Sequence, residues 1–281
     1  MAIEKHRAAY LGQQAAWLVK RGGTVHSVFQ KAVNLLVLEG GQEYLLSLLS
    51  TDMHEYSLTC PDLPEFSNRF QINASFSTTE EGLFFSGINL AVSTRAAGIW
   101  HQPAFTIKVD AVRLQQRLER AKRFLAEGRP SDRTGVLDRL ENLSSLWPGE
   151  SVFPPPGWLN RLQPLVGLGP GLTPLGDDYI SGYLTAVFLF HNDQAARAAL
   201  TEGAAQLAAG DTTIFSKTQI KLAGRGICLG SIFAAIKALV SPTFSPDSFK
   251  PVLDIGDTSG YGWLLGIVTA ARHFSESVSQ A

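Results

Sequence analysis

Two periodicities divide the chain. From Thr24 to about Lys108, apolar residues recur in short runs with strand character: Val25–Phe29, Val33–Leu38, Glu43–Leu49, Arg69–Phe76, Gly82–Gly87 and Phe105–Val109. These runs are rich in β-formers and are separated by glycine, proline or polar turns. Gly40–Gly41 and Glu81–Gly82 are the expected turn centres. Short strands spaced in this way predict a small barrel or sandwich, with the residues before Arg21 forming a helix that leads into it. At Asp110 the spacing becomes helical. Val112, Leu114, Leu118, Ala121 and Leu125 fall near one stripe of Ala111–Glu127, a helix capped by Asp110 and stopped by Gly128. Further helices are expected over Asp132–Leu146, Tyr179–His191, Gln194–Ala209, Thr213–Ala223, Ile227–Val240 and Thr258–Phe274, with a stiff proline-rich spacer across Trp147–Gly157. The predicted class is α+β, with a β-rich domain over 1–109 and an all-helical domain over 110–281.

Composition narrows the function. The chain has 281 residues, 45% of them apolar, enough for a substantial core and too many for a disordered segment. Its net charge of −1 supplies no long basic field, so nucleic acid is set aside. Charged residues make up 17%, against about 25% in an average soluble domain, which points to surface covered by a partner. Cys60 and Cys228 match no metal-ligand spacing and read as reduced core thiols. No signal-type segment or bilayer-length apolar run is seen, so the cytoplasm is the expected location.

The chemistry concentrates at Val166–Asp178, Val-Gly-Leu-Gly-Pro-Gly-Leu-Thr-Pro-Leu-Gly-Asp-Asp. Its four glycines permit unusual backbone angles or close approach, while Pro170 and Pro174 stiffen it. The helix that follows is expected to start with Thr173 as N-cap, Pro174 at its first position and both aspartates in its opening turns. Free amides at such a start attract a phosphate or carboxylate. The carboxylates of Asp177 and Asp178 suit Mg²⁺, the one cofactor the sequence suggests. Successive helical residues diverge by about 100°, so the two acids are not expected to share one ligand face.

Two other stretches repeat the formula of glycine, acid and hydroxyls before a helix: Gly210–Ser216 and Asp254–Gly262. If the three starts converge, they form a pocket suited to anions or a metal. The candidate ligand-binding residues are Gly169, Gly171, Thr173 and Gly176 in the loop, Thr213 and Ser216 in the second start, Asp257, Ser259 and Gly260 in the third, and His26 in the β-rich half. Asp177 and Asp178 are the candidate catalytic and metal-binding residues. Gly-x-Ser-x-Gly and Walker motifs are missing, which disfavours a standard serine hydrolase or P-loop kinase.

The segment Gly167–Asp178, together with Val25–Phe29, Ala32–Asn34, Thr212–Ser216 and Ile255–Gly260, resembles a bacterial family long catalogued as a domain of unknown function, whose best-known branch is the AllH-type subunit of oxamate carbamoyltransferase. The resemblance spans about Thr24 to Thr269. It implies a subunit acting late in anaerobic allantoin breakdown, where phosphate attacks the carbamoyl carbon of oxalurate to give oxamate and carbamoyl phosphate. It also implies AllF-type and AllG-type companions. On this reading Gly169–Gly171 and Thr173 hold an anionic group, and Asp177 or Asp178 orients the carbamoyl NH₂ or a metal. The chain departs from the family pattern at Leu175, where Ser is usual, and at Asp257 and Gly262, where His and Asp are usual. Two further readings stand beside it: a stand-alone metal-dependent hydrolase of a small amide or phosphate, and a noncatalytic anion-binding subunit.

Overall fold

The computed structural model describes residues 2–63, 65–103, 111–147 and 152–280. The protein is α+β, and it divides into two compact units, Met1–Pro103 and Ala104–Ala281, each with its own apolar core.

The first unit is one curled ten-stranded sheet, half-barrel in form. Its strands are β1 (Glu4–Arg7), β2 (Tyr10–Gly12), β3 (Gly23–Val28), β4 (Ala32–Glu39), β5 (Gln42–Leu49), β6 (Ser57–Thr59), β7 (Ser75–Thr78), β8 (Gly82–Phe85), β9 (Leu90–Ser93) and β10 (Gly98–Trp100). The order is β1-β9-β8-β7-β3-β4-β5-β6-β2-β10. The chain itself links the two ends of that order. β1 runs into β2 through Ala8 and Ala9, and the two pair in parallel with β9 and β10 respectively, so the sheet curls back on its own first strand. Gly40 and Gly41, at φ of 58° and 77°, make the tight β4–β5 turn that their sequence predicts.

Several expectations need correction here. The N-terminal residues form β1, β2 and a single helical turn, α1 (Ala15–Leu18), instead of a leading helix. Of Arg69–Phe76 only the last two residues are strand, because the stretch up to Ala74 is spent on turns. β1, β2, β6, β9 and β10 were not legible: three or four residues are too few to show a period of two. Strand Phe105–Val109, the Asp110 cap and residues 148–151 of the spacer lie outside the described residues.

The second unit contains α2 (Ala111–Glu127), α3 (Val136–Leu146), α4 (Trp158–Leu162), α5 (Leu175–Phe190), α6 (Gln194–Ala208), α7 (Ile214–Ala223), α8 (Gly230–Val240), α9 (Lys250–Leu253) and α10 (Ser259–Gln280). Leu114, Leu118, Ala121 and Leu125 of α2 are buried as their stripe predicts, whereas Val112 is 65% exposed and falls off it. The centre is α5, buried along nearly its whole length, with α10 against it. Glycines let the two backbones meet. A Cβ on Gly182 would stand 2.1 Å from the Trp263 carbonyl, and one on Gly266 would stand 2.1 Å from that of Tyr179. This contact sets the first turns of α5 and α10 beside each other.

Candidate functional site

Pro174, not Thr173, is the N-cap of α5, and the helix starts at Leu175, one residue after the first position expected at Pro174. The threonine hydroxyl is thereby released from capping. Asp177 and Asp178 lie in the first turn and are fully buried. Carboxylates near a helix start gain from the dipole, yet full burial costs far more than that gain. Their partners offset the cost unequally.

Asp177 ties the loop together. Its Oδ1 accepts from the Gly167 amide at 2.9 Å, and its Oδ2 accepts from the Thr212 hydroxyl. Burial pushes its pKa up, while the Thr212 and Gly167 hydrogen bonds, with the nearby Ser216 hydroxyl, pull it back. Asp178 is less well served. Its Oδ1 accepts from Gln219 Nε2 at 3.0 Å, but Oδ2 has no hydrogen-bond partner. Burial raises its pKa to about 7, with Gln219, Ser259 and Trp263 opposing the shift and the charge of Asp177 reinforcing it.

The three helix starts converge. Thr213 caps α7 by accepting from the Ser216 amide at 3.1 Å, and its hydroxyl donates to the Leu172 carbonyl in the loop at 2.7 Å. Thr173 and Ser259 share a hydroxyl–hydroxyl bond of 2.9 Å, which joins the loop to the start of α10. A Cβ on Gly262 would meet that of Asp178 at 3.0 Å, so this departure from the family pattern lies directly against the second acid. Leu175 is buried, and Asp257 is exposed on the turn before α10.

The candidate glycines separate by cause. Gly169 and Gly171 require positive φ, 120° and 94°, and a Cβ on Gly171 would meet open space. Gly176 and Gly260 are explained by packing, since a Cβ there would stand 2.1 Å from the Leu165 carbonyl and 1.8 Å from that of Val252. Ser216 is buried close to Asp177. His26 belongs to the sheet unit. It is the extra residue where the β3–β4 register shifts between Val25 and Ser27, and it is half-buried. Neighbouring Ser27 and Asn34 form a buried row with Ser47: Asn34 donates to Ser27 at 3.0 Å, and Ser47 donates to Asn34 at 2.7 Å.

The acid pair makes a poor Mg²⁺ cage, because donors already occupy both oxygens of Asp177 and one of Asp178. No group of three or more His, Cys, Asp or Glu side chains among the described residues could hold a metal. Sequence reasoning missed Gln219, whose Nε2 also donates to Ser181 Oγ at 3.3 Å. Its signal was a polar residue three positions after Ser216, on the α7 stripe that also buries Ile220 and Ala223.

Residues 165–271 match the family model of oxamate carbamoyltransferase subunit AllH. The resemblance read from the sequence is borne out over that segment, which holds the loop and all three helix starts. The β-rich motif with His26 falls outside the AllH match. Comparison with curated proteins and with solved structures gave no match. AllH is the name of a subunit, which implies companion chains. No helix among the described residues is long and apolar enough to cross a membrane.

Proposed function

We propose that the chain is the AllH-type subunit of an oxamate carbamoyltransferase-like enzyme. A phosphate oxygen bonds to the carbamoyl carbon of oxalurate as the carbon–nitrogen bond to the oxamate nitrogen breaks, and that nitrogen takes up a proton. The observation that carries this reading is the convergence of three polar helix starts at one glycine loop, inside the segment that matches AllH. In it the helical domain, residues 110–281, bears the site, and residues 1–109 form the β-rich domain.

Two anionic reactants repel each other, and oriented donors must hold them together. The amides of Gly176, Ser216 and Gly260 are already taken by Leu168 O, Thr213 Oγ1 and Ile255 O. The amides of Asp177, Asp178, Lys217 and Gly262 also bond backbone carbonyls, so those of Leu175, Ile214, Phe215, Ser259 and Tyr261, with Gly169–Gly171, are assigned to the anion. Across 165–181, 211–219 and 255–263 the one basic residue is Lys217. Two anions and two buried acids call for more positive charge than that, so AllF-type and AllG-type companions are expected to supply it and to exclude water from the labile carbamoyl phosphate.

The test is to purify the chain alone and co-expressed with its genomic neighbours, then to assay carbamoyl transfer in both directions. Turnover is expected only in the complex. Full turnover by the isolated chain would remove the companion requirement, and an inert intact complex would remove the reaction.

A further inference from the structure

Asp178 carries an unmet hydrogen-bonding need that Asp177 does not. It has 0% exposure, its Oδ1 is held by Gln219, and its Oδ2 has no partner. Leaving a buried acceptor unpaired costs more than an ordinary hydrogen bond returns. Ser259 and Trp263 lie beside this carboxylate, and half-buried Ser259 is bonded in turn to half-buried Thr173. Two hydroxyls therefore lead from a sealed carboxylate toward the outer side of the loop.

The direction of that chain follows from hydrogen-bond chemistry. An ionised carboxylate only accepts, so a Ser259 hydroxyl that turns toward the unpartnered Oδ2 gives its proton to it. The Ser259 oxygen then receives the Thr173 proton, and Thr173 turns its lone pairs outward. We propose that Asp178, acting through Ser259 and Thr173, presents an acceptor to the ligand and selects an amide N–H over a second carboxylate at that point. The ligand class is a small carboxylate bearing a primary amide or ureide, and this rests on the function proposed above. Asp178 is thus a positioning residue, held by Gln219 and, through it, Ser181. Asp177 stands outside the device because donors fill both its oxygens.

Protonation reverses the chain: a neutral Asp178 donates to Ser259, and Thr173 then offers a proton outward. The pKa of about 7 puts that reversal near neutrality. The groups facing Asp178 are Gln219 from α7, Ser259 and Trp263 from α10, and Asp177 from its own helix, and Asp177 is the other acid among them.

Oxamate and oxalate test the proposal, since they differ by NH₂ in place of a carboxylate oxygen and neither titrates near neutrality. Calorimetric titration would use the full chain alone and co-purified with its companions. Wild type at about pH 8 is expected to prefer oxamate about tenfold or more. Asp178→Asn and Thr173→Val should abolish the preference without weakening oxalate, and the wild-type preference should collapse near about pH 6. Should Asp178→Asn fail to fold, Thr173→Val and the wild-type pH profile decide. Equal binding of the two ligands by wild type overturns the proposal and leaves the anion-site reading standing. So does a preference retained in both variants and across pH. Loss in Asp178→Asn alone overturns the hydroxyl relay in favour of direct contact. If neither ligand binds the chain or the complex, the proposal and the anion site fall together.

Discussion

Two of the places where the protein buries polar side chains are built differently. Across β3, β4 and β5, Ser27, Asn34 and Ser47 sit in register and bond to each other, so side chains supply one another's partners inside an apolar sheet. Beneath the glycine loop, Asp177 is satisfied but Asp178 keeps one oxygen without a donor. A closed network fixes register and stops there. An open one costs stability that folding alone gives no reason to accept, and this supports the site proposed above.

The sharpest way to break this contrast is through pH. The folded pKa of Asp178 is raised from its ordinary value of 3.8 to about 7, so its stabilising contribution is complete below the former and lost as pH rises through the latter. Wild type should therefore lose on the order of 4 kcal/mol relative to Asp178→Asn across that window, read by urea unfolding at each pH. A constant difference between the two proteins would show that Asp178 does not carry the unmet burial cost.

Asn34→Ala probes the closed network. It strands the Ser27 and Ser47 hydroxyls and opens a small void, and the expected cost is about 2–4 kcal/mol with ligand response unchanged. A loss within about 0.5 kcal/mol would show that the row does not hold the sheet.

Asp177→Asn should cost about 2 kcal/mol, because an amide keeps one acceptor and turns a donor toward either the Gly167 amide or the Thr212 hydroxyl. Its effect on ligand selectivity should be smaller than that of Asp178→Asn. Comparing melting temperature with the oxamate-to-oxalate ratio in both variants separates the roles, and identical behaviour would erase the distinction between the acids.

Much of this was legible in the chain. Long amphipathic or apolar segments such as α2 and α5 announce themselves because many residues repeat one period, and the Gly40–Gly41 turn does so because only glycine suits two successive positive φ angles. The loop Val166–Asp178 stands out from the chain because its glycines and prolines form an uncommon combination. The end of the proline-rich spacer was less legible, since helix α4 has only five residues in which to show a pattern.

Sequence alone determined the α+β class, the order of β-rich and helical halves, and the three polar helix starts, since each depends on neighbours a few positions away. Only the tertiary structure decided that those starts meet, that Thr173 gives up capping to bond Ser259 across 86 positions, and that Gln219 reaches Asp178 across 41. It also decided which acid is satisfied. Asp177 and Asp178 are identical in type and adjacent in sequence, but one helical step of about 100° directs them to different partners, and burial turns that difference into distinct chemistry.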